Sequence, residues 1–157
     1  MTDLSHIDGE GRARMVDVSG KADTPRTAIA TGSIAMAPDV LKLALGGKAP
    51  KGAVEGVAEI AGVMAAKKTA ELIPLCHPLA LSGISVAVMP TPDGSGLTVT
   101  ATVHTTGPTG VEMEALTAVS VALLTIYDML KAVDKAMVIG GVRVTEKHGG
   151  RSGSWRA

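Results

Sequence analysis

The sequence predicts an α+β fold, an antiparallel sheet with helices on one face. Two segments, 27–37 and 96–106, alternate β-branched with small or polar side chains, the two-residue period of a strand. Two others, 53–71 and 111–133, repeat apolar residues at helical spacing. Turn-forming residues punctuate the chain so that strand–helix–strand occurs twice, with a hairpin between the halves. At 157 residues, 46% of them hydrophobic, residues 1–157 form a single domain. A chain of this size buries roughly 70% of its unfolded surface.

Residues 1–23 are polar, with alternating charges, and read as an arm that is flexible over 1–14; within it MVDVSGK (15–21) reads as a short edge strand. In TAIATGSIAMA (27–37), Ile29, Thr31, Ser33 and Ala35 face away from Ala30, Gly32, Ile34 and Met36. Pro38-Asp39 opens a short helix that Gly46-Gly47 ends, and GGKAPKG (46–52) is a loop with two lysines. Val54, Val57, Ala58, Ala61, Met64 and Ala65 give the next helix, 53–71, a narrow face of small residues. IPLCHP (73–78) is pinned by Pro74 and Pro78 and should be extended and rigid. Residues 80–90 and 96–106 make a hairpin about Pro92-Asp93-Gly94. GPTG (107–110) leads into a long helix with Leu116, Val119, Leu123, Tyr127 and Leu130 on one face, and GGVRVTEK (140–147) is the last strand. HGGRSGSWRA (148–157) is rich in glycine and serine and reads as a flexible tail. Two strand–helix–strand units with a hairpin between them are the pattern of the ferredoxin-like split βαβ sandwich.

Composition narrows function. Fifteen Lys plus Arg balance fifteen Asp plus Glu, and Tyr127 and Trp155 are the only aromatic residues. Neither a basic surface nor stacking rings are available, so nucleic acid is not an expected partner. A core of Ala, Val, Leu, Ile and Met implies thin, closely spaced layers and a chain that gains from oligomerisation. One cysteine, Cys76, excludes an internal disulfide framework. The start lacks the apolar stretch of a signal peptide, and no apolar run approaches the roughly 20 residues of a membrane span. The expected location is the cytoplasm, away from any membrane.

There is no GxxxxGK[ST], GxGxxG, HExxH, CxxC or GxSxG. His6, His77, His104 and His148 are too scattered for a metal site, and the adjacent Cys76 and His77 point apart in an extended segment. Three features remain. In PLCHP, two prolines stiffen the backbone around His77, which suits acid–base work or phosphate contact as well as a plain capping role. In TGPTGVEMEAL (106–116), free amides at a helix start can meet an anion, and Glu112 and Glu114 also suit the helix dipole with no further role. In YDMLKA (127–132), Asp128 and Lys131 are three apart, hence neighbours on one helix face, as a surface ion pair or a proton-transfer pair. Lys51 and Lys147, with Arg26 and Lys131, can hold a polyphosphate if they converge. Glu114 and Asp128 are fourteen residues apart on one helix, about 21 Å along its axis. They cannot meet in one small site within one chain, so either there are two sites or one site is shared between subunits.

Residues 50–79 (PKGAVEGVAEIAGVMAAKKTAELIPLCHPL), 109–132 (TGVEMEALTAVSVALLTIYDMLKA) and the ending EKHGGRSG (146–153) resemble the molybdenum-cofactor biosynthesis protein C family, MoaC, the cyclic pyranopterin monophosphate synthases; MVDVSGK belongs to the same pattern. The resemblance covers the chain beyond residue 14, and LIPLCHP and GVEMEALTA are its specific signals. It implies a homohexamer, a trimer of dimers, with a ferredoxin-like subunit and an active site at a subunit interface. It also implies a lyase that converts 3′,8-cyclo-7,8-dihydro-GTP, a purine-derived triphosphate made from GTP by an upstream radical GTP cyclase, into cyclic pyranopterin monophosphate and diphosphate. Carried over residue by residue, the catalytic group falls on Lys51, Asp128 and Lys131. Substrate binding falls on Leu75, Cys76 and His77, on Glu112, Met113 and Glu114, and on Arg26, Lys67 and Lys147. KGAVEGVAEIAG departs from relatives that have an aspartate or arginine in this stretch, which changes none of these positions. Ring opening needs a positioned acid and base, for which Lys131 with Asp128 is the expected pair and Lys51 a further proton donor. Departure of diphosphate needs cations, for which His77, Lys147 and Arg26 are suited. Glu112 and Glu114 can grip the N–H groups of the guanine-derived ring. No resident cofactor or metal is expected, although Mg²⁺ often accompanies polyphosphate. On fold and composition alone, a non-catalytic regulatory or interaction module leads, and a phosphate-releasing enzyme that acts on GTP itself is a third reading.

Overall fold

The computed structural model describes residues 6–157. Its elements run β1 (Thr24–Ala35), α1 (Pro38–Leu45), α2 (Val54–Lys67), α3 (Thr69–Leu72), β2 (Leu81–Pro90), β3 (Gly96–Gly107), α4 (Glu112–Leu130), β4 (Val138–His148) and β5 (Trp155–Arg156). The five strands form one antiparallel sheet in the order β2-β3-β1-β4-β5. Each crossover lands two places away: β1 reaches β2 through α1–α3 with β3 between them, and β3 reaches β4 through α4 with β1 between them. Helices α2 and α4 pack on each other and on the same face of the sheet. The α+β class and the one-sided helical layer are as the sequence predicts.

The pleat explains that layer. Ala28, Ala30 and Ile34 of β1 and Leu97, Val99, Ala101 and Val103 of β3 are fully buried beneath the helices, while the residues between them face the open side. From α4, Ala115, Ala118, Val119, Ala122, Leu123, Ile126 and Leu130 fill the same core. Small residues bring the layers close. A Cβ at Gly62 of α2 would sit 3.0 Å from the carbonyl oxygen of Ala118, and one at Gly32 of β1 would sit 2.9 Å from both Leu123 and Val142. Filling that contact is expected to be destabilising: Gly32→Val should lower stability by about 1–3 kcal/mol, as overpacked cores do, and denaturant titration against the parent protein checks it. An unchanged unfolding midpoint would mean that the layers yield at this point.

The structure corrects several boundaries. MVDVSGK (15–21) is not an edge strand: no sheet pairing reaches it, and the outer side of β4 is taken by β5. The helix expected over 53–71 breaks at Lys68, whose N–H turns back to Ala65 and Ala66, and a short α3 follows. IPLCHP begins with a turn, Cys76 N–H donating to the Ile73 carbonyl at 3.1 Å, and only then extends. Residues 148–157 turn through Gly149 and Gly150 and return as β5, which sets Trp155 opposite Lys147 and Arg156 opposite Glu146. Helix α4 is long and apolar enough to cross a membrane. Its packing against β1, β3, β4 and α2 accounts for that composition.

Candidate active site

Helix α4 carries a polar cluster at each end. At its C-terminal end, one turn of helix brings Asp128 and Lys131 onto one face, and the Lys131 ammonium lies 2.6 Å from Asp128 Oδ1. The loop after α1 adds Lys51, whose Nζ lies 2.6 Å from Asp128 Oδ2. Gly52 N–H bonds back to the buried Ala49 at 3.0 Å, and the resulting turn presents Lys51. One carboxylate thus bridges two ammonium groups, all three about half exposed. The hydrogen bond from Lys131, then that from Lys51, holds the Asp128 carboxyl down at about 2. The same Asp128 contact pushes the Lys131 ammonium above its ordinary value. At rest the cluster is therefore an ionised Asp128 against a protonated Lys131, with the Lys51 amine on the second carboxylate oxygen.

At the N-terminal end a cavity of about 370 Å³ opens between the PLCHP segment, the first turn of α4 and the N-terminal arm. Leu75, Cys76 and His77 line it from one side, and Glu112, Met113 and Glu114 from another. Glu114 is only 4% exposed, and burial, then the neighbouring Glu112 charge, raises its carboxyl pKa. Burial, then the Glu114 charge, likewise raises the Cys76 thiol. Glu112 is held by Lys147, Nζ to Oε1 2.9 Å, which reaches across from β4. Lys67, at the end of α2, lines a smaller cavity of about 140 Å³ that shares His77 and Glu114 with the first. Arg26 is engaged with backbone: Nε donates to the Gly107 carbonyl and Nη2 to that of Pro108, both at 3.0 Å, and Gly150 packs against Nη1. Its side chain ties the loop that starts α4 to β1.

The structure thus divides the sequence-predicted residues. Leu75, Cys76, His77, Glu112, Met113 and Glu114 come together in one cavity, with Lys67 in the adjoining one and Lys147 and Arg26 bonded to the same end of α4. Lys51, Asp128 and Lys131 lie at the other end, about 24 Å from Glu112 at 1.5 Å per residue. The four cations proposed for a polyphosphate do not converge within one chain. Sequence reading overlooked four residues of the arm that line the 370 Å³ cavity, His6, Val16, Val18 and Lys21, because nothing in their spacing ties them to His77 more than 50 residues away. Among the described residues, no group of three or more His, Cys, Asp or Glu side chains is placed to hold a metal ion.

The buried Glu114 gives a test of this geometry. A carboxyl whose pKa is raised in the folded state contributes its full stability below its ordinary value of 4.5, and loses it as pH rises through the raised value. Glu114→Gln removes that loss. The variant is expected to melt higher than the parent at pH 8, with a smaller difference at pH 4.5. Equal differences at both pH values would contradict the burial of this carboxylate.

The chain is similar over residues 15–150 to the MoaC family. It is 61% identical over 153 residues to the cyclic pyranopterin monophosphate synthase of Pelotomaculum thermopropionicum, which covers 98% of this chain and 90% of the relative. It is 62% identical over 153 residues to the protein of the same name from Chloroflexus aggregans, covering 98% and 93%. With the Novosphingobium aromaticivorans synthase it shares 62% identity over 157 residues, 100% of this chain and 99% of the relative. A match over most of the chain, together with near-complete coverage by these relatives, means that this chain belongs to the MoaC family.

Proposed function

We propose that this chain is a cyclic pyranopterin monophosphate synthase of molybdenum cofactor biosynthesis, a lyase that turns 3′,8-cyclo-7,8-dihydro-GTP into cyclic pyranopterin monophosphate and diphosphate. The observation that carries the reading is 61–62% identity, over nearly the whole chain, to three proteins of that name. The Asp128 cluster and the His77 cavity support this reading. Asp128 holds Lys131 protonated at rest, so this amine enters the reaction as a proton donor and becomes a base once it has given up its proton, and Lys51, paired with the same carboxylate, is placed to supply a second proton. Glu112 and Glu114 receive the N–H groups of the guanine-derived ring. His77, Lys67, Lys147 and Arg26 attend the phosphates, where positive charge stabilises the departing diphosphate. The reaction breaks and remakes C–N bonds as the imidazoline ring opens and the pyranopterin closes, and it exchanges one P–O–P bond for a cyclic phosphate with loss of diphosphate; with no net oxidation, no resident cofactor is required of the protein, and Mg²⁺ would arrive on the polyphosphate.

The two clusters complete one site when the C-terminal end of one subunit's α4 meets the N-terminal end of another's. A homohexamer, a trimer of dimers, provides this arrangement. Val57, Ile60, Met64, Leu72 and Leu124, all more than 40% exposed on the helical layer, give such an assembly apolar surface to bury. The protein would work in the cytoplasm, downstream of the radical GTP cyclase.

The test is an assay with substrate made fresh by that cyclase, in which diphosphate release and the fluorescent oxidised pterin are followed together. Both signals are expected from the cyclised substrate and neither from GTP. No product from a folded oligomer that still binds GTP analogues would move the assignment to a regulatory module.

A further inference from the structure

Residues 15–21 take no part in the sheet, yet they wall the cavity of about 370 Å³. Val16, Val18 and Lys21 line it opposite His77, and Lys21 N–H donates to the Val18 carbonyl at 2.9 Å, a turn that brings Lys21 round to the cavity. The Asp17 carboxylate accepts from Ser19 N–H at 2.9 Å and braces the same turn. The Val16 carbonyl lies 2.6 Å from His77 Nε2. A carbonyl oxygen can only accept, so Nε2 carries the hydrogen. Neutral His77 is then the Nε2–H tautomer, and Nδ1 is its one nitrogen able to accept a bond or a proton. His77 also borders the cavities of about 140 Å³ and about 390 Å³. The contact with Val16 is the hydrogen bond that orients a ring bordering three openings.

We propose that residues 15–18 are a strap across the cavity and that Val16 is a positioning residue. Its carbonyl fixes the ring of His77 so that Nδ1 is the nitrogen that meets the bound substrate. The proposal rests on His77 belonging to the substrate site, as argued above, but its first test does not. In the ligand-free, ¹⁵N-labelled full chain, long-range proton–nitrogen spectra above the histidine titration range should show His77 protonated at Nε2. The ring proton should exchange slowly with water and lie close in space to residues 16 and 17. Val16→Gly/Val18→Gly removes the apolar side chains that seat the strap. It should speed exchange of that proton by at least about tenfold, with the amide signals of β1 and β3 unmoved. With the cyclised dihydro-GTP substrate, the same variant should lose about tenfold in kcat and less in KM, the signature of a misplaced group rather than a lost contact.

An Nδ1–H tautomer in the parent protein would overturn the proposal. So would a His77 ring proton that exchanges equally fast in parent and variant, or a variant with parental kcat. His77→Gln can keep a donor near Val16 but offers no basic nitrogen in place of Nδ1, so parental turnover by that variant would also overturn it. A slow ring proton in a chain that makes no pterin would leave the strap standing and remove the synthase assignment.

Discussion

Mixed oligomers built from Lys131→Ala subunits and His77→Ala subunits are expected to regain turnover that neither variant shows alone. The expectation follows from α4. Asp128 and Lys131 leave one end of the helix, while Glu112, Glu114 and the His77 cavity occupy the other. The rigid rise of the helix keeps the two groups about 21 Å or more apart within a subunit. If one site draws on both ends, the ends belong to different subunits. In a symmetric pair that exchanges them, one substituted subunit of each kind leaves one site intact and puts both lesions into the other. Random mixing then gives about a quarter of the parental sites. Co-expression with two affinity tags, followed by sequential purification, isolates the mixed species for assay. Mixed oligomers no more active than their parents would place the whole reaction within one subunit.

Removing either lysine of the Asp128 cluster is expected to lower kcat by about 10²–10⁴-fold, the range that positioned proton transfer supplies. Lys51→Ala and Lys131→Ala should melt as the parent does, because all three side chains stand about half in solvent and such ion pairs add little to folding. Asp128→Asn separates charge from geometry. The carboxylate raises the Lys131 pKa, so its loss lets that pKa fall. If Lys131 acts as a donor, the alkaline limb of the kcat–pH profile should move to lower pH in Asp128→Asn. An unmoved limb, or near-parental turnover in either lysine variant, would remove the donor role.

The regular parts of this fold were legible because period and punctuation agreed. β1 and β3 alternate, Pro38 and Gly46 bracket α1, and Asp93-Gly94 turns the hairpin. The errors lie where the same local pattern serves another purpose. Val16 and Val18 alternate with polar neighbours as strand residues do, but they face a cavity instead of a strand partner. Apolar spacing continues through Lys68, so the break between α2 and α3 leaves no trace in the period. The site was legible in pieces. The 128/131 pair follows from helix geometry, and the distance between Glu114 and Asp128 follows from counting. The junction of Lys51 with Asp128 depends on where the loop between α1 and α2 lies against the end of α4, which no local pattern encodes. The same holds for Val16 with His77 and for Lys147 with Glu112.

The placement of β5 makes the chain its own optical reporter. The single indole, Trp155, is 48% exposed and pairs with Lys147, whose ammonium holds Glu112 beside the cavity. The single phenol, Tyr127, precedes Asp128 on α4 and donates its O–H to the Lys135 carbonyl at 3.1 Å. With no other Trp, Tyr or Phe in the sequence, emission excited at the red edge comes from the Lys147 side alone. Tyrosine emission comes from the Asp128 side alone. Each half of the site therefore carries one native chromophore, and energy transfer between them reads how far one half lies from the other without a label.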